Sequence, residues 1–491
     1  MTGVCEKRCV AIKPLVLRVG IALLASAALL VGSRAFAWDA ATTHAGMTEQ
    51  ALEASKFHAM LAHRMGRALG SFEPLRLDVA ALDADVARNL AARLRALDPA
   101  GGYRPSTDFV ASASAWVRAG AVLAKTPPER GRHHFLEPTT RTGLDDGPGL
   151  TGTLHAARLT FDDGSTVRDA ATGQAFGLDG MSALEWLRSP QNDLGLAVFF
   201  DNWERAVSAA SPSQRETALV HALLALGGTL AVLEDAGEPA FVRNDFRGEF
   251  LARDSGSEFE RFVADRYGAV ALPAAKAAVA RADIESFFVA GDGLGLAQRT
   301  QRNFFSPGTL PADISCDASD TPASAATLAN RSLRFPEPVV SPLDLRASSR
   351  TRHVTRDALR ILAYQRIGRR VHFFLDQAVY ADTIRYWLPE VEGYAAGLVD
   401  HLLRAKVGFA LAGHQVTLTV EGVDSPSPGP SGWRVFVEDA QGERKEIATA
   451  AFKQDVPFTV ELPKSARKIA AVVRGRDKAG DFVATGELTL P

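Results

Sequence analysis

Trp38 stands directly behind Ala35-Phe36-Ala37, and His44 follows it six residues later. Residues 1–37 carry Lys7, Arg8, Lys13 and Arg18 ahead of a nearly unbroken apolar run, Val19–Val31, and close on a small-x-small signal-peptidase site. The run is too short to cross a bilayer, which favours a cleaved leader over an anchor. No cysteine marks the cleavage point, as a lipoprotein would require. Cutting after Ala37 frees the Trp38 α-amino group and leaves its carbonyl nearby, two donors able to chelate one metal ion. The chemistry expected here is metal coordination at a new N-terminus, in a chain exported to the periplasm or beyond the cell.

Other candidate residues carry less. His58 and His63 share one predicted helix but lie five residues apart, which splays them onto different faces, so both read as surface or neighbouring histidines rather than a zinc pair. His155, His221, His353, His372, His401 and His414 have no recognisable partner spacing. Arg350 with Arg352, and the run Arg366–Arg370, read as solvated helix ends. Gly291-Asp292-Gly293-Leu294-Gly295 has the wrong spacing for a dinucleotide loop, and no nucleophile elbow, phosphate-binding loop or Cys-x-x-Cys pair occurs. Cys5 and Cys9 fall in the leader, so Cys316 alone cannot form an internal disulfide.

Removing residues 1–37 leaves 454 of the 491, enough for two domains. The leader holds five Lys/Arg and one Asp/Glu, a net +4, so the −2 of the whole chain becomes −6. With 46% hydrophobic and 23% charged residues the chain is ordinary for a globular protein, and nothing in its charge points to nucleic acid. Apolar spacing predicts helices over 45–70, 79–97, 107–123, 182–187, 194–210, 212–232, 259–267, 271–289, 355–367, 372–386 and 394–406. The segment 212–232 is apolar nearly all round and therefore central. Residues 139–181 are turn-rich, and 306–349 form a low-order stretch of Pro, Ser, Ala and Asp. Beyond Gly413 the pattern changes to short strands at 415–421, 433–438, 457–462, 469–474 and 482–488. The expected architecture is mainly α: a helical domain over 38–408, then a small β-sandwich over 413–491.

Three segments carry a resemblance: WDAATTHAGMTEQAL at 38–52, RHHFLEP at 132–138, and LGGTLAVLEDAGEPAFVRNDF at 226–246 ahead of EFERFV at 258–263. Together they resemble the zinc-dependent phospholipase C and single-strand-specific nuclease superfamily, over roughly 38–270 and more loosely to Arg404. The resemblance implies a phospholipase C-like helical fold, a three-zinc cluster, and a metal-bound hydroxide that attacks a phosphodiester. Trp38, His44, His134, Asp235 and Glu260 stand where it expects ligands. The other four of nine positions depart from it. Lys125 replaces the Asp of a GA-x-x-x-D element, Ala231 and Phe241 replace the two His flanking Asp235, and Gly256 replaces the His four residues before Glu260.

Sorted by metal, one implied site keeps only Glu260 and a second keeps His134 and Asp235 but meets the cation Lys125. The third retains Trp38, His44 and Asp235. The resemblance therefore implies one zinc ion or none. The expected function is an exported phospholipase C-like or nuclease-like protein with impaired phosphodiester hydrolysis, acting by binding a lipid, nucleotide or protein partner. The alternative is an active phosphodiesterase in which Lys125 and Asp235 are catalytic, Lys125 clamping the phosphate beside one metal. The β-domain is expected to attach the protein to a membrane surface or to a surface glycan.

Overall fold

The computed structural model describes residues 40–490 except 83, 127, 145–158, 162–165, 170–174, 178–180, 246–257, 268–273, 312, 316–349, 357–358, 425–431, 454–455 and 465. The leader, Trp38 and most of the low-order stretch lie outside the described residues.

A π-helical turn, Ala40–His44, leads into α1 (Ala45–Ala54) and α2 (Phe57–Arg64). The expected single helix over 45–70 is thus broken at Ser55-Lys56, where the Ser55 hydroxyl donates to the Leu52 carbonyl and interrupts the helical ladder. Strand β1 (Pro74–Arg76) pairs with β2 (Val110–Ser112), and α3 (Ala84–Arg95) lies between them in sequence. Ser112 caps α4 (Ala113–Ala124) by accepting from the Ala115 N–H, which fixes the start of the helix that ends at Lys125. A 3₁₀ turn, Pro128–His134, follows. Inside the turn-rich segment, β3 (Leu159–Phe161), β4 (Thr166–Asp169) and β5 (Ala175–Gly177) form a small antiparallel sheet.

Helices α5 (Ala183–Arg188) and α6 (Leu196–Ser208) precede α7 (Pro212–Asp235), the axis of the fold. A capping box between Ser211 and Gln214, with Pro212 in the first turn, sets its start. By length and composition α7 could cross a membrane, yet from Thr217 to Asp235 every residue but His221 is buried against α4, α6 and α12 (Gln377–Leu402). Two glycines allow the closest crossing. A Cβ on Gly120 would lie 2.0 Å from the Leu224 carbonyl oxygen, and one on Gly227 would lie 1.8 Å from that of Val117. The α4 and α7 backbones therefore touch, and their C-terminal ends are brought together. Short helices α8 (Pro239–Val242), α9 (Glu258–Ala264), α10 (Ile284–Phe288) and α11 (Leu296–Asn303) close over them.

Three expected helices are replaced. Much of 271–289 is an extended strap along α12, whose Lys276 and Val279 N–H groups donate to the Pro389 and Gly393 carbonyls at 3.0 Å each. Residues 355–367 are strands, β7 (Arg352–Arg356) and β8 (Leu359–Ile367), and 372–386 begins as β9 (Arg370–Phe374) before α12. With β6 (Ile314–Ser315) they form a sheet in the order β6-β9-β8-β7. Its buried side chains, among them Val354, Ile361, Val371 and Phe373, make a core of their own.

Strands β10 (Lys406–Ala412), β11 (Gln415–Glu421), β12 (Gly432–Glu438), β13 (Arg444–Ala451), β14 (Phe458–Glu461), β15 (Lys468–Asp477) and β16 (Gly480–Thr489) follow, in the order β13-β12-β15-β16-β10-β11-β14. Two antiparallel groups meet in one parallel contact, Lys406 with Thr485, and fold over a shared core containing Val416, Leu418, Trp433, Val435, Val473 and Phe482. This is the expected helical part followed by a sandwich-like β part. The opposite face of β12, β15 and β16 packs Phe436, Ala470, Val472 and Val483 into the helical core beside α6.

Candidate functional site

The C-terminal ends of α4 and α7, the turn before α1 and the 3₁₀ turn meet at one buried point. The last two residues of α7, Glu234 and Asp235, place two carboxylates at the negative end of a helix dipole, which disfavours their charge. Both are fully buried, so the protein must supply cations. His44 lies between them, with Nδ1 2.5 Å from a Glu234 oxygen and Nε2 3.1 Å from an Asp235 oxygen. Lys125, 1% exposed, donates from Nζ to the same Asp235 oxygen at 3.2 Å. His134 contacts the other Asp235 oxygen through Nδ1 at 2.6 Å, and the Thr48 hydroxyl donates to Glu234 at 2.9 Å.

The protonation states follow from this geometry. The carboxyl groups of Glu234 and Asp235 engage both ring nitrogens of His44, an arrangement that favours the protonated ring. Burial opposes that charge, but Asp235 and Glu234 outweigh it and the pKa is raised. Burial likewise opposes ionised Asp235, and Lys125, His44 and the His134 hydrogen bond hold it well below the usual carboxylate range. Burial lowers the pKa of His134, and the nearby charges of Lys125 and His44 add to this. Neutral His134 therefore donates from Nδ1 to Asp235, and its Nε2 has no hydrogen-bond partner among the described residues. Burial raises Glu234, with Asp235 contributing.

Of the expected ligands, His44, His134 and Asp235 converge. Trp38 lies outside the described residues, and Glu260 sits on α9 with its side chain outside them. Ala231 and Phe241 are both fully buried, and the Phe241 ring lies 4.8 Å from Lys125 Nζ, a cation–π contact on an apolar wall. His133, beside His134 in sequence, is buried and stacked on Trp186 at 4.3 Å; burial and then Arg132 lower its pKa to about 3. His58 and His63 are exposed, as expected.

The described donors, taken without Trp38 and the Glu260 side chain, do not by themselves make a zinc site. The His44 nitrogens and the Asp235 oxygens are engaged with one another and with Lys125, leaving the Nε2 lone pair of His134, whereas zinc takes at least three protein ligands. Among the described residues no group of three or more His, Cys, Asp or Glu is arranged to hold a metal. The sequence reading missed Glu234 and Thr48. A signal was present in Glu234-Asp235, two adjacent acids closing an otherwise apolar helix, which need charged or hydrogen-bonding partners inside the fold.

No protein-family model and no curated protein matches the chain. Among solved structures, the alpha toxin from Clostridium absonum is similar over 93% of this chain and 96% of its own, at 11% identity and a TM-score of 0.32. An alpha-toxin of Clostridium perfringens, from avian strain SWCP, is similar over 93% of this chain and 100% of its own, at 10% identity and a TM-score of 0.29.

Proposed function

We propose that this chain is an exported phospholipase C-like or nuclease-like protein in which phosphodiester hydrolysis is impaired. It acts by binding a lipid, nucleotide or protein partner, and its C-terminal β part contributes contact with a membrane surface. The observation that carries the reading is the buried Lys125–Asp235 ion pair, where a fixed ammonium stands beside the carboxylate that the sequence resemblance assigns to bridging metals. A hydrolytic site needs a water nucleophile and a path for the phosphate. Here His44, His134, Glu234 and Asp235 are fully buried, Lys125 is 1% exposed, and Phe241 closes one side.

The test uses chain matured at Trp38. Elemental analysis is expected to find less than one equivalent of zinc per chain, and bis-p-nitrophenyl phosphate is expected to stay intact with or without added zinc. Metal-dependent turnover abolished by Asp235→Ala would reverse the reading in favour of a working phosphodiesterase with Lys125 as its electrostatic clamp.

A further inference from the structure

One more acid lies in the helical core beside the ion network. Glu392 on α12 is 2% exposed and has no ion-pair partner among the described residues. From α7 it faces Glu234, and from the tail of α9 it meets the Tyr267 hydroxyl. The cations on the elements packed around it are engaged elsewhere. His44 in the π-helical turn serves Glu234 and Asp235. Lys276 of the strap and Arg299 of α11 both go to Glu390, and Arg118 of α4 goes to Glu49 of α1. Arg360 of β8 is paired with Asp382, and Glu285 of α10 is held by Arg141. Burial, then the charge of Glu234, therefore keeps Glu392 protonated up to about 8 instead of 4.5.

Tyr267 is seated by shape as well as by its hydrogen bond. Its N–H donates to the Val263 carbonyl at 2.7 Å, which ties it to the end of α9. Its ring crosses α1 at Gly46, where a Cβ would lie 1.9 Å from Cε1 and 2.6 Å from the hydroxyl oxygen. Only glycine leaves that notch open. Along α9, the Phe259 and Phe262 rings lie against Tyr380 of α12, with centres 5.3 and 5.5 Å away. Ring packing holds the body of α9, and Tyr267 holds its tail.

We propose that Glu392, Tyr267 and Gly46 form a proton-held clasp: while Glu392 is neutral the tyrosine stays in its notch and α9 stays on α12, and when Glu392 ionises the tail swings out and opens the Glu234 side of the network to solvent. A carboxylate fixed at this position has an acid beside it and no cation, whereas with the tail away water solvates it. Tyr267 feels the charge of Glu234 as well as that of Glu392, so its departure uncovers both. With Glu392 titrating near 8 when enclosed and near 4.5 when solvated, opening gains about tenfold per pH unit between those values and nothing further above them. The inference goes beyond the functional reading and needs neither hydrolysis nor its loss.

The experiment is hydrogen–deuterium exchange of the mature chain read by mass spectrometry, corrected for the intrinsic pH dependence of amide exchange. Peptides covering 258–267 are expected to lose protection about tenfold per pH unit from 4.5 to 8, while those covering α4 and α7 hold theirs. In Glu392→Gln the protection of 258–267 should stay level across that range. In Gly46→Ala the new methyl expels the ring, so 258–267 should exchange at the acid end as fast as the parent does at the alkaline end. Protection of 258–267 that is level in the parent, that falls alike in Glu392→Gln, or that survives Gly46→Ala overturns the proposal. So does a fall shared equally by α4 and α7, which is opening of the whole helical core. Zinc content and bis-p-nitrophenyl phosphate hydrolysis are read separately, so a failure here is told apart from a failure of the functional reading.

Discussion

At the scale of residues, the side chains of Glu234, Asp235, His44 and Lys125 are packed together in the interior. Removing one partner of such a set leaves a buried charge uncompensated, a loss on the order of 3–5 kcal/mol. Lys125→Met is therefore expected to lower stability by about that amount in denaturant titration. Lys125→Met/Asp235→Asn should lose less than the sum of the two single variants. The pH window follows from the directions of the shifts. His44, raised above 6.5, contributes fully below that value and loses its contribution as pH rises through its folded pKa. Asp235, depressed below 3.8, contributes above that value and loses its contribution as pH falls. Between these limits the network is at its strongest. Glu392, near the same core, acts in the same sense as His44: burial, then the charge of Glu234, pushes it up to about 8 from 4.5, against the Tyr267 hydrogen bond. Stability should decline as pH rises from 4.5 through 8. Glu392→Gln, which still accepts from Tyr267, is expected to flatten that decline and to be more stable than the parent at alkaline pH by about 2 kcal/mol in urea melts.

At the scale of elements, the site depends on how closely α4 and α7 approach. Gly120 and Gly227 let carbonyl oxygens of one helix lie where a methyl of the other would be. Gly227→Ala must push the helices apart, at a cost of about 1–3 kcal/mol by the usual measure of overpacking, and it lengthens the reach from Lys125 to Asp235. Calorimetry should show the lower midpoint. In Gly227→Ala the further effect of Lys125→Met should shrink, because the pair is already strained. The bodies of these helices were legible in sequence because their apolar faces are long, but the expected start at 107 runs through a turn and β2, and Ser112 sets the first turn instead. The sheet β6-β9-β8-β7 was not legible. In β8 four consecutive residues, Ile361 to Tyr364, are buried, so the alternation that signals a strand is missing. The strap at 274–283 escaped for a related reason: two of its amides, Lys276 and Val279, are satisfied by α12, a partner over a hundred residues away. Of the site, His44, His134, Asp235 and the facing Lys125 were legible because a short motif surrounds each. Glu234 went unread because no motif singles it out, although two adjacent acids closing an apolar helix already call for partners inside the fold.

At the scale of the whole molecule, the two parts are bolted together by arginines. Arg444, 2% exposed, donates to Glu438 at 2.9 Å, to Glu487 at 2.6 Å and to the Val207 carbonyl near the end of α6 at 2.7 Å. Arg215 of α7 reaches the Ala209 and Ala210 carbonyls just past the end of α6 and, across the seam, the Gly442 carbonyl of the β part. Arg444→Met would leave Glu438 and Glu487 short of a partner and uncap that helix end. We expect scanning calorimetry of this variant to resolve two transitions where the parent shows one, with a loss of about 3 kcal/mol.

The contacts to Asp235 come from residues 101, 110 and 191 positions away along the chain. None of these partners can meet until most of the helical core has collapsed around α7. The charges thus act as a latch thrown late in folding rather than as a nucleus, and their loss should quicken escape from the native state while leaving the rate of reaching it nearly unchanged.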